Sequence, residues 1–148
     1  MAPIQISLKI DAPAPLVFDT IADIRNFSKA VADIVRVEFL SDQESGKGTR
    51  FNETRKMGNK EFSNVMEVTE YVKNEKIRIV SDSHGTVWDS LFTVADTDGK
   101  TELKLVMDAR AHQWLPRLLN PFMKGMIRKA IKKDLFAVQK YCEDRNTA

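Results

Sequence analysis

Between Arg50 and Asp108 the chain alternates apolar and polar residues with a period of two, broken by four turn sequences. In such a pattern a one-residue slip exchanges a strand's buried face for its wet one, so the turns test one another. Gly58-Asn59 carries glycine at the first central position, the type II′ signature, and pairs Met57 with Lys60, Arg55 with Phe62, Glu53 with Asn64 and Phe51 with Met66. The opposite face then sets Lys56 against Glu61 and Arg50 against Glu67, opposite charges that suit a solvated surface. A turn at Lys73-Asn74 pairs Val68 with Ile79, and one at Ser83-His84 pairs Ile79 with Trp88. Asp98-Gly99, a type I′ sequence, pairs Val94 with Leu103, Phe92 with Leu105 and Ser90 with Met107. All four turns agree on one inner face. On the outer face Asp89 falls opposite Asp108, with Arg78 on its other side.

The flanks complete the pattern. Ile4, Ile6, Leu8 and Ile10 alternate with polar residues in a first strand, which Ala12-Pro13-Ala14-Pro15 ends. Pro15 suits a first helical turn, Val17, Phe18, Ile21 and Ala22 form one apolar face, and a second short helix is expected around Asn26 to Ala32. Near the C-terminus the period changes to about 3.6. Phe122, Met123, Met126, Ile127, Ala130, Ile131, Leu135, Val138 and Cys142 make an apolar stripe, with Asn120-Pro121 as helix start and a short lead-in helix from Trp114 to Leu119. The expected class is α+β, a curved antiparallel sheet of about seven strands around a long C-terminal helix, with two short helices after strand 1.

A chain of 148 residues, 43% hydrophobic and 30% charged, reads as one domain over residues 1–148, with enough core to fold unaided. It shows neither a signal-peptide pattern nor an apolar run of membrane-spanning length, and Cys142 is its only cysteine, which together point to the cytoplasm. The net charge of +2 is too small to suggest nucleic acid. Its excess is terminal: from Pro121 onward seven basic residues face three acidic ones.

The segments LKIDAPAPLVFDTIAD (Leu8–Asp23), GTRF (Gly48–Phe51), EVTEY (Glu67–Tyr71) and DLFAVQKYCE (Asp134–Glu143), in that order, carry a resemblance. The chain resembles the SRPBCC superfamily, and more narrowly the polyketide cyclase/dehydrase and lipid-transport group, related in architecture to START domains and pollen-allergen-like plant proteins. The resemblance implies a helix-grip fold with a cavity between sheet and helix. It also implies either a carrier of lipid, isoprenoid or polyketide-like ligands or a cyclase, aromatase or dehydrase. Iron-containing relatives need a 2-His-1-carboxylate set, whose spacing the two histidines, His84 and His112, do not provide, so neither metal nor cofactor is expected.

On the inner face, Phe51, Phe62, Met66, Trp88, Phe92 and Met107 are the expected ligand-binding walls, with Val68, Ile79 and Leu105 among them and Phe122, Met123 and Met126 as cover from the helix. The register also turns Glu53, Arg55 and Asn64 inward, with Ser81 and Ser90 deeper. Buried polar groups need partners. Glu53 and Arg55 are thus candidates for an internal salt bridge or an inner position at the open rim, for a cluster with Asn64 that orients a ligand carbonyl or hydroxyl, or for catalysis, the carboxylate as base and the guanidinium holding an enolate. His84, in a turn, and His112 before the lead-in helix are weaker candidates. Asp89 and Asp108 read as part of a surface network rather than a metal site. Lys124, Arg128 and Lys132, at spacings of four, offer a solvated helix face, a transient contact with an anionic membrane, or the surface of a module that binds a partner or a membrane. Monomer and homodimer are both open.

Overall fold

The computed structural model describes residues 3–83, 85–111 and 121–147. The elements run β1 (Ile4–Ile10), α1 (Ala14–Ala22), α2 (Ile24–Ala30), β2 (Ile34–Phe39), β3 (Arg50–Met57), β4 (Lys60–Val72), β5 (Lys76–Ser83), β6 (Thr86–Thr97), β7 (Lys100–Ala111) and α3 (Pro121–Asn146). The strands form one antiparallel sheet of seven in the order β1-β7-β6-β5-β4-β3-β2, so the first strand closes against the last. The lead-in helix, His84 and His112 lie outside the described residues.

The β3–β4 hairpin has the expected register throughout, from Met57–Lys60 to Arg50–Glu67. Gly58 takes φ +65°, the conformation that the first position of a type II′ turn demands. In β6–β7, Asp98 and Gly99 both have positive φ, as type I′ requires, and Val94–Leu103, Phe92–Leu105 and Ser90–Met107 pair as expected.

Two turns differ. The β4–β5 connection has three residues, with Asn74 at φ 63° and Val72 paired with Lys76. A bulge between Val68 and Glu70 absorbs the extra residue, so Val68 still meets Ile79. In β5–β6 the closing pair is Ser83–Thr86 rather than one residue earlier, which moves the register by two: Ile79 faces Ser90, and Trp88 faces Ser81. A shift of two preserves the face. Gly85, at φ 83°, supplies the left-handed conformation that the shifted turn uses. Arg78 accordingly pairs with Leu91, yet its guanidinium reaches Asp89 diagonally at 2.8 Å, and Arg110 approaches the same carboxylate at 3.4 Å. Asp89, opposite Asp108, is therefore held by two cations on the outer face.

The second short helix begins at Ile24, two residues before its expected start, because Asp23 caps it by accepting the Arg25 amide at 2.9 Å. Its end at Ala30 is likewise two residues early.

The dry core fills one end of the concave sheet. Across the strands Ile77, Phe92, Leu105 and Ile6 form one row, and Val94, Leu103 and Leu8 the next. Val17, Phe18 and Ile21 of α1 and Leu135 and Val138 of α3 close over them, all buried. The C-terminal end of α3 is tied to β1 and its following turn: Gln139 donates to the Lys9 carbonyl, Asn146 to that of Asp11, and Glu143 accepts the Asp11 amide. Cys142, buried, donates to Thr20 of α1. Burial pushes its thiol up, which keeps it uncharged.

Candidate functional site

The other end of the concave face is not filled. Between β3–β7, the two short helices and the middle of α3 lies a cavity of about 340 Å³. Its floor is the row Val68, Ile79, Ser90 and Met107, with Phe92 and Leu105 below. Phe51, Met66 and Trp88 line its middle, Ile21, Ala22, Ile24 and Phe27 close one wall, and Ile127, Ala130, Ile131 and Leu135 come from α3.

Polar groups gather toward the hairpin tips. Glu53 pairs with Asn64, Asn64 is hydrogen-bonded to Ser83 at 2.5 Å, and Ser83 pairs with Thr86, a polar row across the sheet. Above it Arg55 reaches from β3 to two carboxylates. Its Nε donates to Glu53 Oε1 at 2.5 Å and its Nη1 to Asp134 Oδ2 at 2.8 Å. Glu53 is only 4% exposed, and the Arg55 and Asp134 side chains are mostly covered. Burial opposes the charge on Arg55, but Glu53 and Asp134 outweigh it and hold its proton more tightly than usual. For Asp134 burial prevails, lifting its carboxyl above the usual aspartate range against the pull of Arg55. Deeper in the cavity Ser81 is 5% exposed, and its hydroxyl has no hydrogen-bond partner among the described residues.

Of the residues expected from the sequence, Phe51, Glu53, Arg55, Asn64, Met66, Trp88, Phe92 and Met107 line this cavity, as do Ser81 and Ser90. Phe62, Phe122 and Met126 do not. Phe62 has the inward register, opposite Arg55, but it is 46% exposed and does not line the cavity. Phe122 and Met126 are 74% and 53% exposed: no residue of α3 before Ile131 is fully buried, and the stripe meets the body from Ile127 onward. Asn64 is opposite Glu53, but its carbonyl oxygen is engaged by Ser83, and the partners of Arg55 are Glu53 and Asp134.

Asp134 was missed, although a signal existed. It follows Ile131 by three and Ala130 by four, and it precedes Val138 by four, so a charged residue stands within the apolar stripe. The contributions of α1 and α2 had no comparable signal, since helix-to-sheet docking is not encoded in strand register.

Among the described residues no group of three or more acidic, histidine or cysteine side chains is placed to hold a metal ion, and no helix is long and apolar enough to cross a membrane.

No curated protein matches the sequence. Among solved structures, Ara h 8.0201 superposes with a TM-score of 0.78 at 12% identity, covering 95% of this chain and 96% of its own. TTHA0849 from Thermus thermophilus gives 0.72 at 14% identity, covering 98% and 97%. The di-domain ARO/CYC StfQ from the steffimycin biosynthetic pathway gives 0.78 at 16% identity; the match covers 96% of this chain but 45% of StfQ. At such identities these likenesses establish the helix-grip fold alone. The family model described as polyketide cyclase / dehydrase and lipid transport matches residues 1–143. With sheet, helix and cavity in that arrangement, the chain belongs to the polyketide cyclase / dehydrase and lipid transport family of the SRPBCC superfamily.

Proposed function

We propose that the protein binds an apolar small molecule in the cavity between sheet and α3 and acts as its carrier. The observation that carries this reading is the state of Arg55. A cyclase that used Arg55 to hold an enolate and Glu53 as base would need both groups free to meet the substrate. Here Glu53 and Asp134 already take up the guanidinium, and Glu53 is locked by the same bond. A satisfied buried ion pair fixes the shape of a wall more readily than it performs chemistry. What remains is a largely apolar cavity with polar groups toward one end, a form that suits binding and orientation. A ligand would place its apolar body over Ile79, Phe92 and Met107 and its polar end toward Asn64 and the Glu53–Arg55–Asp134 cluster.

Native mass spectrometry of the purified protein, followed by solvent extraction, tests this directly. The carrier reading expects retained apolar molecules, or saturable binding of the neutral probe N-phenyl-1-naphthylamine that an added apolar competitor displaces. Turnover of a polyketide-like substrate that disappears in Glu53→Gln and Arg55→Met would favour the cyclase instead.

A second feature supports contact with an anionic membrane during ligand transfer. Pro121–Ala130 of α3 includes no buried residue, Phe122 and Met126 project into solvent, and the first acidic residue of the helix is Asp134. Among the described residues Lys124, Arg128, Lys129 and Lys132 form no ion pair, whereas Lys133 is bound to Asp33 at 3.1 Å. Exposed apolar side chains among unpaired cations suit an interfacial helix. Sedimentation with vesicles containing phosphatidylserine, compared with phosphatidylcholine alone, checks it. Binding that ignored charge reversal at Lys124, Arg128 and Lys132 would end this part of the reading.

A further inference from the structure

The charges that line the cavity are unequal in number. Glu53 and Asp134 are acidic, and Arg55 is the lone cation among the lining residues; Glu44 also lines the cavity but is half exposed and paired with Arg25 at 3.1 Å. Arg55 is also spent, with Nε on Glu53 and Nη1 on Asp134. The second oxygens of those carboxylates, Glu53 Oε2 and Asp134 Oδ1, take no part in these bonds and are acceptors. A ligand carboxylate brought here would lose its hydration and meet negative charge with no free cation to receive it. A hydroxyl would instead find acceptors suited to its proton. Deeper in, the hydroxyl of Ser81, which is 5% exposed and has no partner among the described residues, offers a polar hold without charge.

Resting on the carrier reading above, we propose that the cavity selects apolar molecules whose polar end is an uncharged hydrogen-bond donor, a hydroxyl above all, and turns carboxylates away through the Glu53–Arg55–Asp134 cluster.

The cations of α3 work in the opposite direction and must be weighed. Arg128, Lys129 and Lys132 are exposed, and their attraction for anions is screened within about 8 Å at physiological salt. The cluster is mostly covered and is screened far less. Selection at the cavity therefore follows the cluster, while the helix influences only the approach.

The test is displacement of N-phenyl-1-naphthylamine by three ligands with one chain length: 1-decanol, decylammonium and decanoate, at about pH 8, where decanoate is ionised. Decanol outcompetes decanoate in any apolar cavity, so the decisive comparison is between the two charged ligands, which both lose hydration. Decylammonium is expected to bind at least about tenfold more tightly than decanoate. Asp134→Asn, which removes one negative charge, should narrow that ratio, and Glu53→Gln with Asp134→Asn should reverse it. Decanoate binding as tightly as decylammonium in the wild type overturns the proposal, and so does an unchanged ratio in an Asp134→Asn protein that melts cooperatively. If the variants fail to fold, the wild-type ratio decides alone. Failure of the probe and of all three ligands to bind defeats the carrier reading itself, whereas binding without charge preference defeats only this inference.

Discussion

Arg55 Nη1 lies 2.8 Å from Asp134 Oδ2, joining β3 to α3 across 79 residues of chain. With Glu53 on its other side, Arg55 neutralises one of two covered carboxylates and gives both a hydrogen bond. Removing it leaves the acids unpaired, and breaking a buried pair in this way costs about 3–5 kcal/mol. Arg55→Met should lose stability of that order at neutral pH. Part should return on acidification, because protonated acids no longer need the guanidinium. Urea denaturation at about pH 7 and about pH 4.5 checks both statements. An unchanged midpoint would mean that solvent already satisfies the two acids.

Asp134 gives a separate pH signature. Burial, opposed by Arg55, raises its folded-state pKa above the ordinary value. A raised folded pKa means that the folded state holds this proton more tightly than the unfolded chain does. The stability it contributes is fully present below the unfolded pKa and is lost as pH rises through the folded one. Wild type should therefore gain stability relative to Asp134→Asn as pH falls from neutral into the acid range. Urea midpoints of the two proteins across that range read the difference, and a fall of the wild-type midpoint relative to that of Asp134→Asn on acidification would contradict the sign.

The inner face was legible because strand register is a parity problem. At β4–β5 a turn one residue longer than expected is offset by the bulge before Glu70, and at β5–β6 the error is two residues, so in both cases the inward set survives. Glu53, Arg55, Ser81 and Ser90 were found through parity alone. Which inward residues reach the cavity was not legible in this way: Phe62 shares a face with Arg55 and Met57, which line the cavity, but is itself exposed. The helix was read from its stripe, which says which side is apolar but not how far the sheet extends beneath it. The stripe therefore points to Phe122 and Met126 as cover and gives no weight to Asp134, the charged residue within it.

Ser81 separates stability from binding. Its hydroxyl is buried without a partner among the described residues, and an unsatisfied buried group of this kind costs about 1–3 kcal/mol. Ser81→Ala should leave stability unchanged or raise it by up to about 1 kcal/mol, the cavity side of the residue being tolerant of a missing oxygen. Affinity for a hydroxyl-bearing ligand should fall in the same variant. Thermal melts with and without 1-decanol check the pair of outcomes. A clear loss of stability in the unliganded variant would show that the hydroxyl has a structural partner.

The two ends of α3 should answer mutation differently. Leu135 is 1% exposed and packs with Val138, Phe18 and Leu103 in the core, so Leu135→Ala removes buried methyl groups and leaves a cavity, a change that costs about 2–5 kcal/mol. Met126, nine residues earlier on the same helix, is 53% exposed and lines neither the core nor the cavity. Met126→Ala should therefore stay within about 0.5 kcal/mol of wild type, as surface substitutions do. Phe122→Ala, at 74% exposure, should behave like Met126→Ala. Hydrogen exchange should show the same gradient, with slow amides around Leu135 and faster exchange before Ile131, because local opening is easiest where few apolar contacts must be broken. A loss at Met126 comparable to that at Leu135 would mean that the first turns of α3 are packed against the body in solution, and the exposed apolar surface offered to a membrane would then not exist.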